Sequence, residues 1–494
     1  MKTIKLIEKL KIGFFSALLI INFSCQDDFL DRLPLGEVAN NEELGVGGQE
    51  AAVFGIYSLL RTRSVGGWER YWFGSIRSDD AQKGSTDGDS AANGTAFNDF
   101  QYIATNGLSN SWWNAHYEVI FACNEVINNI KDDGATDAGS LINDAEARVV
   151  RALMYFELRR DYGEVPIITA TIDVPSDAFA TKSAVADIDN FIKEDLAIAE
   201  LNLPPTWTGF PGRATSGFAK SLLAKLYLYQ KDWTNAYNKC MEVIDSNVYD
   251  LDPSLVNLFE RGGNNGVESI FEIQQTVTEN GDQYNSNYYV SQGVRGTGDW
   301  NLGWGFNTPT QTLVDAFEAG DFRKTNTILE SGQDDGGFGG GTLPAFPPAA
   351  QKYWNKKAYT MKSIRTSLGV AGNRWENIKI IRYADVILMA AEAGNESGAA
   401  SQDEVISLVN KIRTRAGLVG TTADSQSELR DAIKQERRAE FALEEYRFYD
   451  LVRWGDATTV LSSLGYLPKH ALYPIPQEAI DNSGGIIIQN PDYN

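Results

Sequence analysis

The sequence predicts a mainly α-helical protein, in which helical hairpins form a scaffold and an irregular, loop-rich region with a few short strands forms the rest. Two observations support this fold class. Apolar residues recur at helical spacing in several paired stretches. Between those pairs lie long stretches without periodicity that are rich in glycine, asparagine and aromatic residues. We therefore expect the helices to carry the fold and the irregular segments to carry function.

The clearest helical hairpin lies between residues 375 and 417. After a short extended lead, apolar residues follow the spacing of one buried helix face: Ala384, Ile387, Leu388 and Ala391. Gly398 stops this helix, and a second helix from Val405 to Ile412 follows it. Together they span about one repeat of a paired-helix solenoid, roughly 34 residues. Similar pairs after residues 50, 145 and 213 predict about four such hairpins.

A third helix, over 427–449, carries a dense row of charges. Its glutamates could serve acid–base or metal chemistry: Glu436, Glu440 and Glu444. A charge row on a helix is more often an ion-paired face that fixes how helices dock. We adopt that interpretation, with Arg437–Glu440 and Glu444–Arg447 as pairs at i, i+3 spacing.

The remaining elements follow from the same signals. Helices are predicted over 50–61, 110–130, 145–162, 181–201, 213–230, 232–246 and 311–319, and a short strand over 268–274. Three segments have no periodicity: 63–101, 274–304 and 331–350. We expect the last to be a mobile surface loop, because it is rich in glycine and proline.

Composition limits the chemistry that the chain can perform. With 494 residues, 43% of them hydrophobic, it can bury one large core or two medium ones. A net charge of −22 argues against nucleic acid and anionic lipid as partners, but not against neutral sugars. His116 and His470 lie far apart in sequence, which argues against histidine triads and multi-histidine metal sites. Cys123 and Cys240 fall in helical patterns and are predicted to be buried free thiols.

The first 24 residues have the pattern of a targeting segment. Four lysines precede an apolar run, Ile12–Ile21, that is too short to span a bilayer and that leads to Cys25. The pattern looks like a bacterial lipoprotein signal in which Cys25 is acylated, although Asn22 stands where leucine is usual. Residues 25–48 would then be anchor and tether. A globular body over 49–494 follows, with halves at 49–250 and 251–494.

Several ordered motifs resemble one known family. In the C-terminal half they are RYADVILMAAEAGNESG, NKIRTRAG, QERRAEFALEEYRFYDLVRWG, YPIPQEAI and IIIQNPDY. Earlier in the chain they are AEARVVRALMYFELRRDYGEVPII, IFEIQ and GWGFNTPTQTLVDAFEAGD. They resemble the SusD/RagB family, the surface glycan-binding or nutrient-binding lipoproteins of Bacteroidetes, over nearly the whole mature chain.

The resemblance implies a tetratricopeptide-like scaffold and a non-catalytic role at the cell surface, on the outer membrane. It implies capture of a polysaccharide or oligosaccharide, delivery to a SusC-like TonB-dependent transporter, and no cofactor. The acidic Gln26–Asp28 segment resembles a surface-sorting signal. Two alternatives remain open at this point. One is a peptide-binding member of the family, and the other is a surface glycosidase, for which no carboxylate pair stands out.

Candidate ligand-binding residues come from the irregular segments, where exposed aromatic rings could cover the apolar faces of sugars. They are Trp68, Tyr71, Trp72, Asp79, Asp80, Tyr284, Tyr288, Tyr289 and Trp300. Trp304 and Phe306 lie within a family motif, which favours a structural role for both. Asp79 and Asp80 with Asp87 and Asp89 give only a weak calcium signal, because their spacing fits no calcium loop, and we predict no metal site.

Overall fold

The computed structural model describes residues 46–61, 64–172, 174–278, 281, 283–345 and 351–493. The predicted signal peptide, Cys25 and the tether up to residue 45 lie outside these residues. Among the helices that are described, none combines the length and the apolar character needed to cross a membrane.

Helices make up most of the described part of the chain. The long ones are α1 (Val46–Leu60), α4 (Gly107–Asp132), α5 (Ala138–Tyr162), α6 (Val185–Asn202), α7 (Ser216–Gln230), α8 (Trp233–Asp245), α14 (Tyr383–Ser397), α15 (Gln402–Arg415) and α16 (Gln426–Glu440). The shorter ones are α2 (Glu69–Gly74), α3 (Ala91–Asn98), α9 (Leu255–Leu258), α10 (Tyr288–Gln292), α11 (Gln311–Ala316), α12 (Phe322–Thr327), α13 (Lys362–Leu368), α17 (Arg447–Trp454), α18 (Ala457–Leu461) and α19 (Gln477–Asn482).

The predicted helical scaffold is confirmed. Helix α5 packs between α4 and α6, α7 packs on α8, and α14 packs on both α15 and α16. Helix α14 also lies against α8, which joins the C-terminal hairpin to the central one. Gly394 permits this approach, because a Cβ there would lie 2.7 Å from the Cβ of Ala400 and 3.1 Å from the ring of Tyr237.

Short polar side chains fix where the long helices begin. Asn106, Asp137 and Thr215 accept hydrogen bonds from the first backbone amides of α4, α5 and α7. Ser401 and Glu404 form a reciprocal capping box at the start of α15. These caps satisfy amide groups that a helix cannot satisfy internally, so each start is specified by the local sequence.

The strands form small antiparallel pairs. They are β1 (Ala81–Gly84) with β5 (Phe306–Pro309), β2 (Ser269–Ile273) with β8 (Ile378–Arg382), β3 (Thr276–Val277) with β4 (Gln283–Tyr284), and β6 (Ile328–Glu330) with β7 (Tyr353–Asn355). The strand predicted over 268–274 is β2, and its partner β8 is the extended lead before α14. Strand β1 pairs with a strand more than 200 residues later, so segment 63–101 meets the chain directly after segment 274–304 at this ladder.

The largest hydrophobic core draws on both halves of the chain, from Val53 of α1 to Ile487 beyond α19. A smaller core surrounds Trp300, Trp354 and Tyr359 under the 331–345 segment. Cys123 and Cys240 are free and buried, as predicted, and burial raises the pKa of both thiols.

Two expectations about local structure are wrong. Segment 63–101 is not irregular throughout, because it contains α2, β1 and α3, whose burial depends on tertiary packing. The helix expected over 427–449 is two helices, α16 and α17, separated by a break in which Leu443 and Glu445 have φ angles of 65° and 72°. Gly74 packs against this break, since a Cβ there would lie 2.5 Å from the Glu445 carbonyl oxygen. Helix α2 therefore packs closely against the break between α16 and α17, where the backbone conformation is unusual.

Candidate functional site

Most of the aromatic rings predicted to face a ligand are buried in this structure. The buried rings are Tyr71, Trp72, Tyr288, Tyr289 and Trp300. The ring of Trp72 packs 5.3 Å from that of Phe306, and Tyr71 packs 6.1 Å from Tyr288. Tyr71 therefore joins segment 63–101 to α10, Trp72 joins it to β5, and none of the five rings presents a free face. The expectation that they are exposed is therefore wrong.

Two of these buried aromatics also have defined polar or stacking partners. The Tyr289 hydroxyl donates to the backbone oxygen of Asn377 at 3.2 Å, and burial raises the pKa of Tyr289 well above its ordinary value. Trp300 stacks on Tyr359 with ring centroids 5.8 Å apart in the smaller core. Both contacts belong to the interior.

Asp79 and Asp80 lie against two arginines from the C-terminal part of the chain. Arg447 donates to both oxygens of Asp79 at 2.8 and 3.0 Å. Arg438 bridges the two carboxylates, at 2.9 Å from Asp79 and 2.8 Å from Asp80. Burial raises the pKa of Asp79, but Arg447 and Arg438 outweigh it and the pKa lies below its usual value. Carboxylates paired in this way connect the β1 segment to α16 and α17 and are poorly placed to bind calcium.

Partly accessible aromatic surface in segments 63–101 and 274–304 is found at a tryptophan pair. Trp68, just before α2, and Trp304, just before β5, are both half-buried, and their ring centroids lie 5.5 Å apart in an edge-to-face arrangement. The ring of Phe306 packs against that of Trp68, with centroids 5.9 Å apart. We call Trp68 and Trp304 the tryptophan platform. Trp68 was a predicted ligand residue, whereas a structural role was predicted for Trp304.

Short loops set the geometry of the platform. The backbone amide of Trp304 donates to Val290 of α10 at 3.2 Å, which fixes the segment before β5. The hydroxyl of Ser286 donates to the backbone oxygen of Gly66, so the start of α10 lies beside the segment that carries Trp68. Asn287, the residue after Ser286, accepts a hydrogen bond from Arg374 at 3.3 Å, and both side chains are partly exposed. Amide and guanidinium groups thus lie on segments that adjoin the aromatic surface.

Tyr284 of β4 is a separate exposed aromatic. About half of its surface, 49%, is accessible, and the guanidinium carbon of Arg61 lies 5.7 Å from its ring centroid. It was predicted to contact ligand. Of the nine predicted residues, Trp68 and Tyr284 present the accessible aromatic surface. An exposed ring of this kind can cover the apolar C–H face of a sugar while amides and carboxylates bind its hydroxyl groups.

The charge row of α16 forms an ion-paired docking face, as interpreted from the sequence, although the predicted partners are wrong. Arg382 of β8 donates to Glu268, Glu440 and Glu444 at 2.6 to 2.8 Å. Arg437 binds Asp385 and Asp450 instead of Glu440. Glu444 lies in the break after α16 and binds Arg382, so helical spacing does not bring it to Arg447. Arg437 and Glu440 both lie in α16, but each binds residues of other elements. Within the described residues, no group of three or more histidine, cysteine, aspartate or glutamate side chains is arranged to hold a metal ion.

Two family profiles match this chain. The family profile described as "SusD family" matches residues 267–468. A second profile, described as "Starch-binding associating with outer membrane", matches residues 74–228. The two matches cover segment 63–101 from residue 74 onward, the whole of segment 274–304 and most of the long helices. The chain belongs to the SusD/RagB family.

Relatives of this SusD/RagB chain match between 73% and 98% of its length. SusD-like protein P2 of Formosa agariphila is 28% identical over 98% of this chain and 100% of its own length. Starch-binding protein SusD of Bacteroides thetaiotaomicron is 25% identical over 73% of this chain and 74% of its own. Among solved structures, a laminarin binding SusD-like protein has a TM-score of 0.77 and 28% identity, covering 90% of this chain and 99% of that one. The family predicted from the motifs is confirmed.

Proposed function

We propose that this SusD/RagB protein captures a polysaccharide or oligosaccharide at the cell surface and delivers it to a SusC-like TonB-dependent transporter, without cleaving it. The observation that carries the proposal is the tryptophan platform, where two partly accessible aromatic rings from distant segments pack edge to face, 5.5 Å apart. Rings held in this way lose little conformational freedom on binding, so stacking on a sugar is favourable. The laminarin binding and starch-binding relatives support a glycan as the ligand.

The platform would supply the stacking surface, and polar groups would supply orientation. Trp68 and Trp304 would cover the apolar faces of adjoining sugar rings, while Asn287 and Arg374 on neighbouring segments would bind hydroxyl groups. Tyr284 would add a further contact for a chain longer than the platform. The same arrangement requires no general acid or nucleophile, and two of the relatives are named as binding proteins, for starch and for laminarin.

Anchoring and delivery rest on the sequence and the family. Cys25 would carry the lipid that holds the protein on the outer membrane, because it ends a lipoprotein-type signal. The profile that matches residues 74–228 is described by its association with the outer membrane. The paired helices would form the transporter interface, since stacked helical hairpins offer extended packing surfaces.

Calorimetry tests the binding role. Residues 26–494 are titrated with a panel of plant, fungal and host polysaccharides and their oligomers, laminarin and starch included, and reducing ends are assayed afterwards. We expect saturable binding to one glycan class and no new reducing ends. New reducing ends would assign the protein to the glycosidases, and no binding to any glycan, with binding to peptides, would make it a peptide receptor.

Membrane fractionation tests anchoring and delivery. Full-length tagged protein is extracted from outer membranes in mild detergent, and the co-purifying proteins are identified. We expect a TonB-dependent transporter in the wild-type sample and loss of the protein from the membrane fraction in Cys25→Ala. A membrane-bound protein that purifies without any transporter would contradict the delivery step alone.

A further inference from the structure

We infer that a pocket beside α7, remote in sequence from the tryptophan platform, binds one ring of a neutral sugar. Its walls come from the segment before α7, the segment after α8 and the loop leading into β2. The residues that carry the argument are Trp207, Arg213, Thr215, Tyr249, Asn265 and Glu272. We call this cavity the α7 pocket. None of its lining residues belongs to the tryptophan platform or was predicted from the sequence to bind a ligand.

An immobilised indole forms one wall of the α7 pocket. The indole nitrogen of Trp207 donates to the backbone oxygen of Ala214 at 2.7 Å. The guanidinium carbon of Arg213 lies 3.9 Å from the ring centroid of Trp207. Arg213 is itself fixed, because it donates to Glu146 at 3.0 Å and to Glu50 at 2.5 Å. The aromatic wall is therefore rigid before any ligand arrives, which favours stacking.

Fixed polar groups form the rest of the lining. Tyr249 shares a hydrogen bond of 2.9 Å with the hydroxyl of Thr215. The amide of Asn265 makes reciprocal hydrogen bonds with Gln274 at 2.8 and 3.0 Å. Glu272 accepts from the backbone amide of Asn265 at 2.9 Å. The partly exposed hydroxyl and amide groups have further hydrogen-bonding capacity, so they can bind the hydroxyl groups around a sugar ring, whereas the buried Glu272 holds Asn265 in place.

The volume of the α7 pocket and the charges that line it favour a small, uncharged ligand. The cavity measures about 200 Å³, below the range of roughly 300–1,000 Å³ that drug-sized ligands occupy, so it suits one ring and not a chain. Its charged side chains are already ion-paired: Arg213 with Glu50 and Glu146, and Glu272 with Lys379 at 3.4 Å. Since the paired charges offer little to an anion, the lining favours an uncharged ligand with many hydroxyl groups, such as the terminal residue of a saccharide.

Saturation-transfer NMR with simple sugars tests the inference. D-glucose, D-galactose, D-mannose and L-fucose are titrated separately into residues 26–494. We expect saturable transfer to at least one of them. Trp207→Ala is expected to weaken that affinity by at least about tenfold, because a rigid aromatic contact carries much of the energy in a small site.

A second variant keeps the test independent of folding. Val267 lines the pocket and is 55% exposed, so Val267→Trp fills the cavity from a position that tolerates a larger side chain. In a Trp68→Ala/Trp304→Ala background, which lacks the platform, we expect Val267→Trp to abolish transfer, while Trp233→Ala, at a position outside both sites, leaves transfer unchanged. The inference is overturned if none of the four sugars gives transfer in that background, if transfer survives Val267→Trp, or if Trp233→Ala abolishes it as well. Polysaccharide capture on the platform is measured separately, so failure of one site does not imply failure of the other.

Discussion

Arg447 holds Asp79 in a bidentate ion pair, with hydrogen bonds of 2.8 and 3.0 Å between residues that are 368 positions apart in the sequence. Asp79 was expected to bind ligand, yet its side chain is only 11% exposed and bridges β1 to α17. A structural role and a ligand-binding role for Asp79 can therefore be told apart by experiment. Loss of a structural carboxylate lowers stability, whereas loss of a ligand-binding carboxylate lowers affinity.

Asp79→Ala is expected to lower the free energy of unfolding by about 3 kcal/mol, because it leaves Arg447 and Arg438 partly buried without one of their carboxylates. Urea denaturation measures the change. Asp87→Asn, at an exposed position of the same segment, serves as the control and should stay within about 0.5 kcal/mol of wild type. Unchanged stability together with lost glycan binding would return Asp79 to the ligand site.

Trp68→Ala combined with Trp304→Ala is expected to reduce glycan affinity by more than about tenfold, since both accessible rings of the platform are removed. Calorimetry with the glycan identified in the panel provides the measurement. Trp233→Ala removes a half-buried tryptophan at the start of α8 and should leave affinity unchanged. Equal affinity in the double variant would remove the platform from the binding mechanism.

Arg382→Gln is expected to destabilise the fold by about 3–5 kcal/mol, because the buried Glu268 and Glu440 and the nearby Glu444 lose their shared cation. Thermal and urea unfolding should agree on the loss. Arg430→Gln is the matched control, since Arg430 forms a more exposed ion pair with Glu396 and should cost less than about 1 kcal/mol. Equal effects of the two substitutions would show that the ion-paired docking face contributes little to stability.

Glu376 predicts how stability varies with pH. Burial raises its pKa to about 7, although Lys379 opposes the shift and Glu272 and Glu260 add to it. A raised pKa means that the folded protein favours the protonated carboxyl group. Its contribution to stability is therefore complete below the unfolded-state pKa of about 4.3 and is lost as the pH rises to 7. In Glu376→Gln the fall in stability between pH 5 and 7 should become shallower, by up to about 1.4 kcal/mol per pH unit.

Urea midpoints at pH 5, 6, 7 and 8 measure this slope for wild type and Glu376→Gln. Glu194→Gln, at an exposed position on α6, is the control and should keep the wild-type slope. If Glu376→Gln also keeps it, Glu376 is ionised in the folded protein throughout this range and Lys379 compensates its burial.

The two buried thiols provide a test of core integrity. In residues 26–494, Cys123 and Cys240 should not react with a maleimide under native conditions, because both are buried and burial raises the pKa of each thiol. Mass spectrometry should find two labels only after denaturation. Leu201→Cys, at a position 82% exposed, should label rapidly in the folded protein. Native labelling of either buried cysteine would indicate local opening of the helical scaffold.

Long periodic segments were predictable because their signals are local. Helices α4, α5, α7 and α14 have apolar faces at helical spacing, and capping side chains begin three of them. The family motifs added the architecture, since periodicity alone indicates only helical hairpins. Short elements such as α2 and β1 were missed because their partners are distant in sequence, as the β1–β5 ladder illustrates.

Exposure of individual aromatics could not be read from the sequence. Trp68 and Trp72 are four residues apart in one segment, yet Trp72 is fully buried and Trp68 is partly accessible. Phe306 packs against both rings, so the difference arises from helix α3, whose Phe97 packs 6.0 Å from Trp72. Trp304 lies in an aperiodic segment rich in aromatic residues, which indicates a ligand-binding role. The family motif around it favoured a structural role instead.

The ion pairs between the α2–β1 segment and the C-terminal helices also determine when this protein can finish folding. Arg70 binds Glu445, Asp80 binds Arg438 and Asp79 binds Arg447, across separations of 358 to 375 residues. The N-terminal residues are synthesised first, so Arg70, Asp79 and Asp80 cannot form these ion pairs until nearly the whole chain has been synthesised. Truncation anywhere before residue 438 would leave α2 and β1 without those partners, all of which lie within the last 57 residues of the chain.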